Sequence, residues 1–196
     1  MVGSALLAAA VAAGLSGCMS GDPAAAPGET ASGEASVSAS ASAVDPAEAA
    51  KQERIAAAQE RYTEYFEIMA RYSKKSENPF PELRDGGYLG DADFQSGQQS
   101  YWQRLTDDKV KQVGDGRIIS FSEVEYDGDP LDDEIAGHRI RMKVCIDNTD
   151  FDLLEPDGRS IVTDDAPAKG LASVVMQGQS TGLWSVREDG ATGVAC

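Results

Sequence analysis

The sequence predicts an α+β domain, with helices first along the chain and strands after them. From Asp45, aromatic and aliphatic side chains recur three and four residues apart, which indicates a long amphipathic helix. From Arg117 onward, short runs of β-branched and aromatic residues alternate with Gly- and Asp-containing turns. Helices followed by a run of strands are typical of α+β domains, in which helices pack on a mostly antiparallel sheet.

The helical part begins at Asp45-Pro46-Ala47-Glu48, with Asp as N-cap, proline at the first position and an acid in the first turn. We expect this helix to continue to about Lys75. Its apolar stripe consists of Ile55, Tyr62, Tyr65, Phe66, Met69 and Tyr72. A shorter element is predicted after Pro81. A further helix is predicted from about Ala92 to Leu105, with the following residues facing inward: Phe94, Tyr101, Trp102 and Leu105.

The strand-forming part contains five predicted strands or partial strands. They are Arg117–Tyr126, Arg139–Ile146, Phe151–Leu154, Leu171–Gln179 and Leu183–Arg187. The second alternates most regularly. One of its faces holds Ile140, Met142, Val144 and Ile146, and the other holds Arg139, Arg141, Lys143 and Cys145.

The N-terminal residues resemble the leader of a bacterial lipoprotein. Ala5–Leu15 is apolar and has the length of a signal h-region, too short for a membrane-spanning helix. Leu15-Ser16-Gly17-Cys18 is similar to a lipobox, in which the cysteine sulfur carries a diacylglyceryl group, palmitate being a common acyl chain. Met1–Ser4 lacks the Lys or Arg of an n-region. We therefore expect either that the natural start lies upstream or that the leader has been shortened.

These features divide the chain into three parts. Residues 1–17 are predicted to be the signal peptide, and residues 18–45 a lipidated Cys18 with a disordered tether rich in Ala, Ser and Gly. Residues 46–196 are predicted to form a single α+β domain. The five acids of residues 1–50 leave 28 acidic against 17 basic residues in 51–196. This charge argues against nucleic acid as a partner.

Three short segments are similar to one known family. Arg61–Phe66 resembles the aromatic first helix of secreted actinobacterial lipoproteins with a nuclear-transport-factor-two-like, ketosteroid-isomerase-like domain. Val144-Cys145-Ile146-Asp147 and Gly182-Leu183-Trp184-Ser185-Val186 look like two of the strands of that family. The resemblance implies a cone-shaped, cystatin-like fold, with helices packed on a curved, mostly antiparallel sheet. It implies no particular activity, because this fold carries enzymes and binding modules alike.

None of the three cysteines is expected to keep a free thiol. With Cys18 lipidated, Cys145 and Cys196 remain, and outside the cytoplasm such a pair most simply forms a disulfide. A nucleophilic or redox cysteine is the alternative, but no basic partner motif lies nearby.

No stretch of the sequence identifies a reaction. His138 is the only histidine and is expected to be exposed at the start of a strand, although a single histidine can act as a base. The acidic runs 127–134 and 147–152 lack the alternation of a calcium loop, so no metal and no cofactor is predicted. In cone-fold enzymes resembling this chain, a pocket carboxylate with tyrosine partners moves a proton. The candidates here are Asp147, Tyr62, Tyr65 and Tyr101.

Two functions therefore stay open. The first is a lipid-anchored domain on the outer face of the bacterial membrane that binds an envelope protein or a small apolar ligand. The second is a small-molecule isomerase or dehydratase with a carboxylate in its pocket. The absence of a clustered acid–base set favours the binding module. A buried Asp beside tyrosine hydroxyls in a deep pocket would revive the enzyme hypothesis.

Overall fold

The α+β class is confirmed by the structure, a computed structural model that describes residues 45–196. The element order is α1 (Pro46–Ser73), α2 (Phe80–Asp85), α3 (Ala92–Asp107), β1 (Lys111–Val113), β2 (Arg117–Asp127), β3 (Arg139–Asp147), β4 (Asp152–Leu154), β5 (Lys169–Gly178) and β6 (Trp184–Ala195). The predicted lipobox, signal peptide and most of the tether lie outside the described residues.

Helix α1 begins where the sequence predicts. The Asp45 carboxylate accepts a hydrogen bond of 2.9 Å from the Ala47 backbone N–H, which caps the helix. The buried side of α1 follows the helical repeat and carries Ile55, Ala58, Tyr62, Tyr65 and Ile68. This face contacts β1, β2 and β6.

The main sheet has four antiparallel strands in the order β2-β3-β5-β6. Its inner face supplies Ile140, Met142, Val144, Val174, Met176 and Val186 to the core that α1 covers. Four register shifts interrupt the outer ladders: two lie between β2 and β3, and two lie between β5 and β6, one of them beside Met176. Extra residues of this kind bend a strand locally.

A second sheet of two antiparallel strands, β1 and β4, lies beside the first. The sequence pattern did not predict β1, which is only three residues long. Close to it, Trp102 and Leu105 of α3 form a small core with Val110, and Met69 and Leu153 pack against it.

Strand β6 is longer than predicted, because it continues from Arg187 to Ala195. Its second half contains Asp189, Gly190 and Gly193, residue types that rarely favour strands. Pairing with β5 along Gly170–Gly178 nevertheless holds this segment in the sheet. The prediction that the strand ends at Arg187 was therefore wrong.

The two cysteines of the domain lie together at the end of the main sheet. Their Sγ atoms are 2.01 Å apart, at disulfide distance, and their Cα atoms are 5.8 Å apart. Cys145 lies on the predicted face of β3, which is the face away from Met142 and Val144, but its side chain is buried. The backbone N–H of Cys196 donates to the carbonyl of Lys169, which holds the chain end against β5.

His138 is buried, with 7% of its surface exposed, so the prediction of an exposed histidine was wrong. Its Nδ1 lies 3.1 Å from an Arg54 nitrogen and 2.7 Å from the Tyr126 hydroxyl. Because arginine only donates, Nδ1 accepts and the ring proton is on Nε2, which lies 3.6 Å from an Asp132 carboxylate oxygen. The histidine thus links α1 to β2 and to the acidic loop that contains Asp132.

Candidate functional site

A cavity of about 470 Å³, partly open to solvent, lies between α1, α3 and the two sheets. Helix α1 contributes Tyr65, Phe66 and Met69 to its wall, and α3 contributes Tyr101 and Trp102. Most of the lining is apolar or aromatic. This composition and volume are typical of sites that bind small molecules.

The small sheet supplies a further wall. Gln112 from β1, Leu153 from β4 and the neighbouring Phe151 line the cavity. Gln112 is buried, and its side-chain nitrogen donates to the Gly114 carbonyl at 3.0 Å, so its orientation is fixed by the turn that follows β1.

Asp189 on β6 is the acid of the cavity. It pairs across the sheet with Val174, a fully buried residue of the inner face. Directly paired residues project to the same face, so the Asp189 side chain points to the side that α1 covers. It is half-buried and lines the cavity.

A β-bulge brings Asp189 to this face. Met176 pairs with Val186, but the next β5 residue, Val175, pairs with Glu188, so Arg187 is an extra residue on β6. One extra residue reverses the alternation of the strand beyond it. Without the bulge, Glu188 would follow Val186 on the inner face; with it, Glu188 is exposed and Asp189 faces inward.

Two tyrosines of α1 surround this carboxylate. The Tyr62 hydroxyl donates to Asp189 Oδ1 at 3.2 Å. Tyr65, three residues later and also fully buried, has a hydroxyl without a hydrogen-bond partner. Burial raises the pKa of both tyrosines, and the nearby Asp189 carboxylate raises them further, so both hydroxyls keep their protons at neutral pH.

Burial raises the pKa of Asp189 from its ordinary 3.8 to about 6, although the hydrogen bond from Tyr62 acts in the opposite direction. The carboxyl group therefore changes its charge close to neutral pH. In chemical terms, the site can accept a hydrogen bond or attract a cation when Asp189 is ionised, and can donate a hydrogen bond when it is protonated.

The structure brings together three of the four residues named from the sequence for proton transfer. Tyr65 and Tyr101 line the cavity, and Tyr62 contacts its acid. Asp147 lies elsewhere: its carboxylate accepts hydrogen bonds from the Thr149 hydroxyl and backbone N–H, which lower its pKa, and faces Lys169.

Asp189 was missed because the predicted strand ended before it. Even with a longer predicted strand, alternation counted from Trp184 and Val186 would have placed Glu188 instead of Asp189 on the inner face. Nothing in residues 186–189 of the sequence marks the bulge. Only the pairing with β5 reveals which acid faces inward.

Among residues 45–196, no group of three or more His, Cys, Asp or Glu side chains is placed to hold a metal ion. In the same part of the chain, no helix is long and apolar enough to cross a membrane. No protein-family model matches the sequence, and no curated protein matches it.

Proposed function

We propose that residues 46–196 form a binding domain for a small, largely apolar molecule, displayed on the outer face of a bacterial membrane by a lipidated Cys18. The observation that carries this proposal is the cavity with its aromatic walls and one half-buried acid, Asp189. Its volume lies within the roughly 300–1,000 Å³ of ligand sites. Within this proposal, a small ligand is preferred to an envelope protein because the polar groups converge inside a concave site.

We also propose that the α+β domain has a cone-shaped fold. Helices α1–α3 against one side of an antiparallel sheet, with bulges in the outer strands, support a cone of the nuclear-transport-factor-two-like kind. In such a cone the cavity is the space between the covering helices and the bent sheet, which is where the aromatic residues of α1 and α3 lie.

A neutral fluorescent dye tests the binding function. Nile red should bind the purified protein with a blue shift and increased emission, because the cavity is apolar. Ala70→Trp, which places an indole in the cavity wall, should weaken binding by at least about tenfold. Ala57→Trp on the exposed side of the same helix is the matched control and should bind like the unchanged protein. Equal binding by both variants would contradict the proposal.

A second function, proton transfer on a bound carbonyl compound, is favoured by one observation. Asp189, with a pKa near neutrality, lies beside two tyrosine hydroxyls. The ionised carboxylate would remove a proton from the carbon next to the carbonyl, and the C–H electron pair would form an enolate that accepts a hydrogen bond from Tyr65. If the carbonyl compound is β,γ-unsaturated, the enolate is conjugated with the double bond, and return of the proton to the γ-carbon would move the double bond and complete an isomerisation.

Deuterium exchange separates this second function from simple binding. The enzyme hypothesis predicts that the protein in D₂O accelerates exchange at the α-carbon of 2-tetralone, measured by NMR. Asp189→Asn should reduce the acceleration by at least about a hundredfold. Binding of the ketone without acceleration would leave the binding function alone.

A further inference from the structure

Asp189 has no cationic partner inside the cavity. It is the one charged side chain among the residues that line the cavity, and no Lys, Arg or His of the described residues is among them. Its protein contact is the hydrogen bond from Tyr62, a neutral donor. An ionised carboxylate in such surroundings is poorly compensated, because buried charges are normally paired.

The Tyr65 hydroxyl is a second unsatisfied group at the same place. It is fully buried, contributes to the cavity wall and has no hydrogen-bond partner in the protein. Its oxygen can accept a hydrogen bond. Buried polar groups nearly always have a partner, so an orphaned hydroxyl beside a ligand-sized space points to a ligand group.

The walls around these two groups are aromatic. Phe66, Tyr101, Trp102 and Phe151 line the same cavity. The faces of aromatic rings attract cations, and their area suits an apolar ligand body. An anionic ligand would find no positive group here among the described residues and would be repelled by Asp189.

Resting on the proposed binding function, we propose that the ligand is an organic cation, a protonated amine on a naphthalene-sized apolar body. The ammonium group donates to the Asp189 carboxylate and to the Tyr65 hydroxyl oxygen. The apolar body lies against the aromatic walls. An ammonium ion has donors and no acceptor, which matches the acceptors that these two residues offer.

Three probes of the same shape test this inference by calorimetry: 1-naphthylmethylamine, 1-naphthylmethanol and 1-naphthoate. At about pH 7.5 the amine should bind at least about tenfold more tightly than the alcohol, and the acid most weakly, because a charged hydrogen bond is stronger than a neutral one. Equal affinity of amine and alcohol, or tightest binding of the acid, would overturn the cationic ligand and leave the binding function standing. Binding of none of the three would overturn both.

Asp189→Asn keeps the shape of the side chain and removes its charge. The preference for amine over alcohol should fall below about threefold in this variant, while alcohol binding stays. Glu188→Gln, the exposed neighbour on the opposite face of β6, is the matched control and should keep the full preference. An amine preference that persists in Asp189→Asn would assign the selectivity to another group and overturn the inference.

The preference of the cavity for the amine over the alcohol should also depend on pH. The titratable groups that face Asp189 are Tyr62 and Tyr65 from α1 and Tyr101 from α3; across the sheet, β5 presents Val174. Burial raises the pKa of all three tyrosines, so Asp189 alone titrates near neutrality. Amine affinity should therefore fall several-fold between about pH 7.5 and 5, and alcohol affinity should not. A pH-independent amine affinity would contradict the proposal.

Discussion

Asp189 lines the cavity at a cost in stability, because protein atoms solvate its carboxylate less well than water does. Its folded-state pKa of about 6 lies above the ordinary 3.8. The folded state therefore binds this proton more tightly than the unfolded chain. Ionisation of Asp189 destabilises the fold, with no effect below about pH 4 and the full effect above about pH 6.

Asp189→Asn should stabilise the protein at neutral pH. The difference between the two pKa values corresponds to at most about 3 kcal/mol in the free energy of unfolding at pH 7.5. At about pH 4 most of this gain should be lost, because Asp189 is then protonated in the folded state and only about half ionised in the unfolded chain. Urea unfolding at the two pH values measures this, with Glu188→Gln as control. A gain of equal size at both pH values would contradict the charge-based explanation.

Tyr62 and Tyr65 should respond in opposite directions to loss of the hydroxyl. Tyr65→Phe removes an unpartnered buried hydroxyl and should stabilise by about 1 kcal/mol. Tyr62→Phe removes the donor to Asp189 and should destabilise by about 1–2 kcal/mol at pH 7.5. Urea unfolding of the pair checks this, each variant being the control for the other. Destabilisation by both would show that Tyr65 has a partner.

At the scale of elements, β6 carries the cavity acid, Asp189, near its middle and leads directly to Cys196 at the end of the chain. Beyond Asp189 the strand is exposed and contains Gly190 and Gly193, so side-chain packing contributes little to its order. The contact of Cys196 with Cys145 and the hydrogen bond to Lys169 hold it to the sheet. We therefore expect the position of Asp189 to depend on this C-terminal attachment.

The predicted disulfide should account for a large part of the stability of the domain. The cysteines are 51 residues apart in the sequence, and closing a loop of that length contributes about 4 kcal/mol in the entropic description. Cys196→Ser should lower the free energy of unfolding in urea by a comparable amount. Reduction of the disulfide in the unchanged protein should lower it equally. Thiol titration of the unfolded, non-reduced domain should find no free thiol. Two free thiols would contradict the bridge.

The turn after β1 should control the wall of the cavity that the small sheet forms. Gly114 has a φ of +70°, and a Cβ there would lie 1.6 Å from the Asp150 carbonyl oxygen. Gly114→Ala should therefore displace the loop before β4, destabilise by more than about 2 kcal/mol and weaken Nile red binding. Gly193→Ala, with a φ of +72° and open space around it, should cost only about 1 kcal/mol. Equal effects would show that the loop does not limit the cavity.

For the whole molecule, periodic packing explains what the sequence predicts well. The cap at Asp45 and the stripe of α1 locate the first helix, and the alternation of β3 locates its strand, because each pattern reflects one buried face. His138 was misjudged because its burial depends on Arg54, 84 residues away. Asp189 was missed because its direction depends on a bulge in the pairing with β5. Long-range contacts of this kind leave no periodic signal.

The lipid anchor is the prediction that places the whole molecule in the cell. If Cys18 is diacylated, two acyl chains hold the protein at the membrane, whereas one chain would bind only marginally. Cells expressing the chain should incorporate labelled palmitate into it and retain it in the membrane fraction. Cys18→Ser should abolish both properties, while Cys196→Ser, which leaves the lipobox intact, should keep the label. Labelling that survives in Cys18→Ser, or its absence from the unchanged protein, would contradict the anchor and leave the cavity of residues 46–196 without its proposed location.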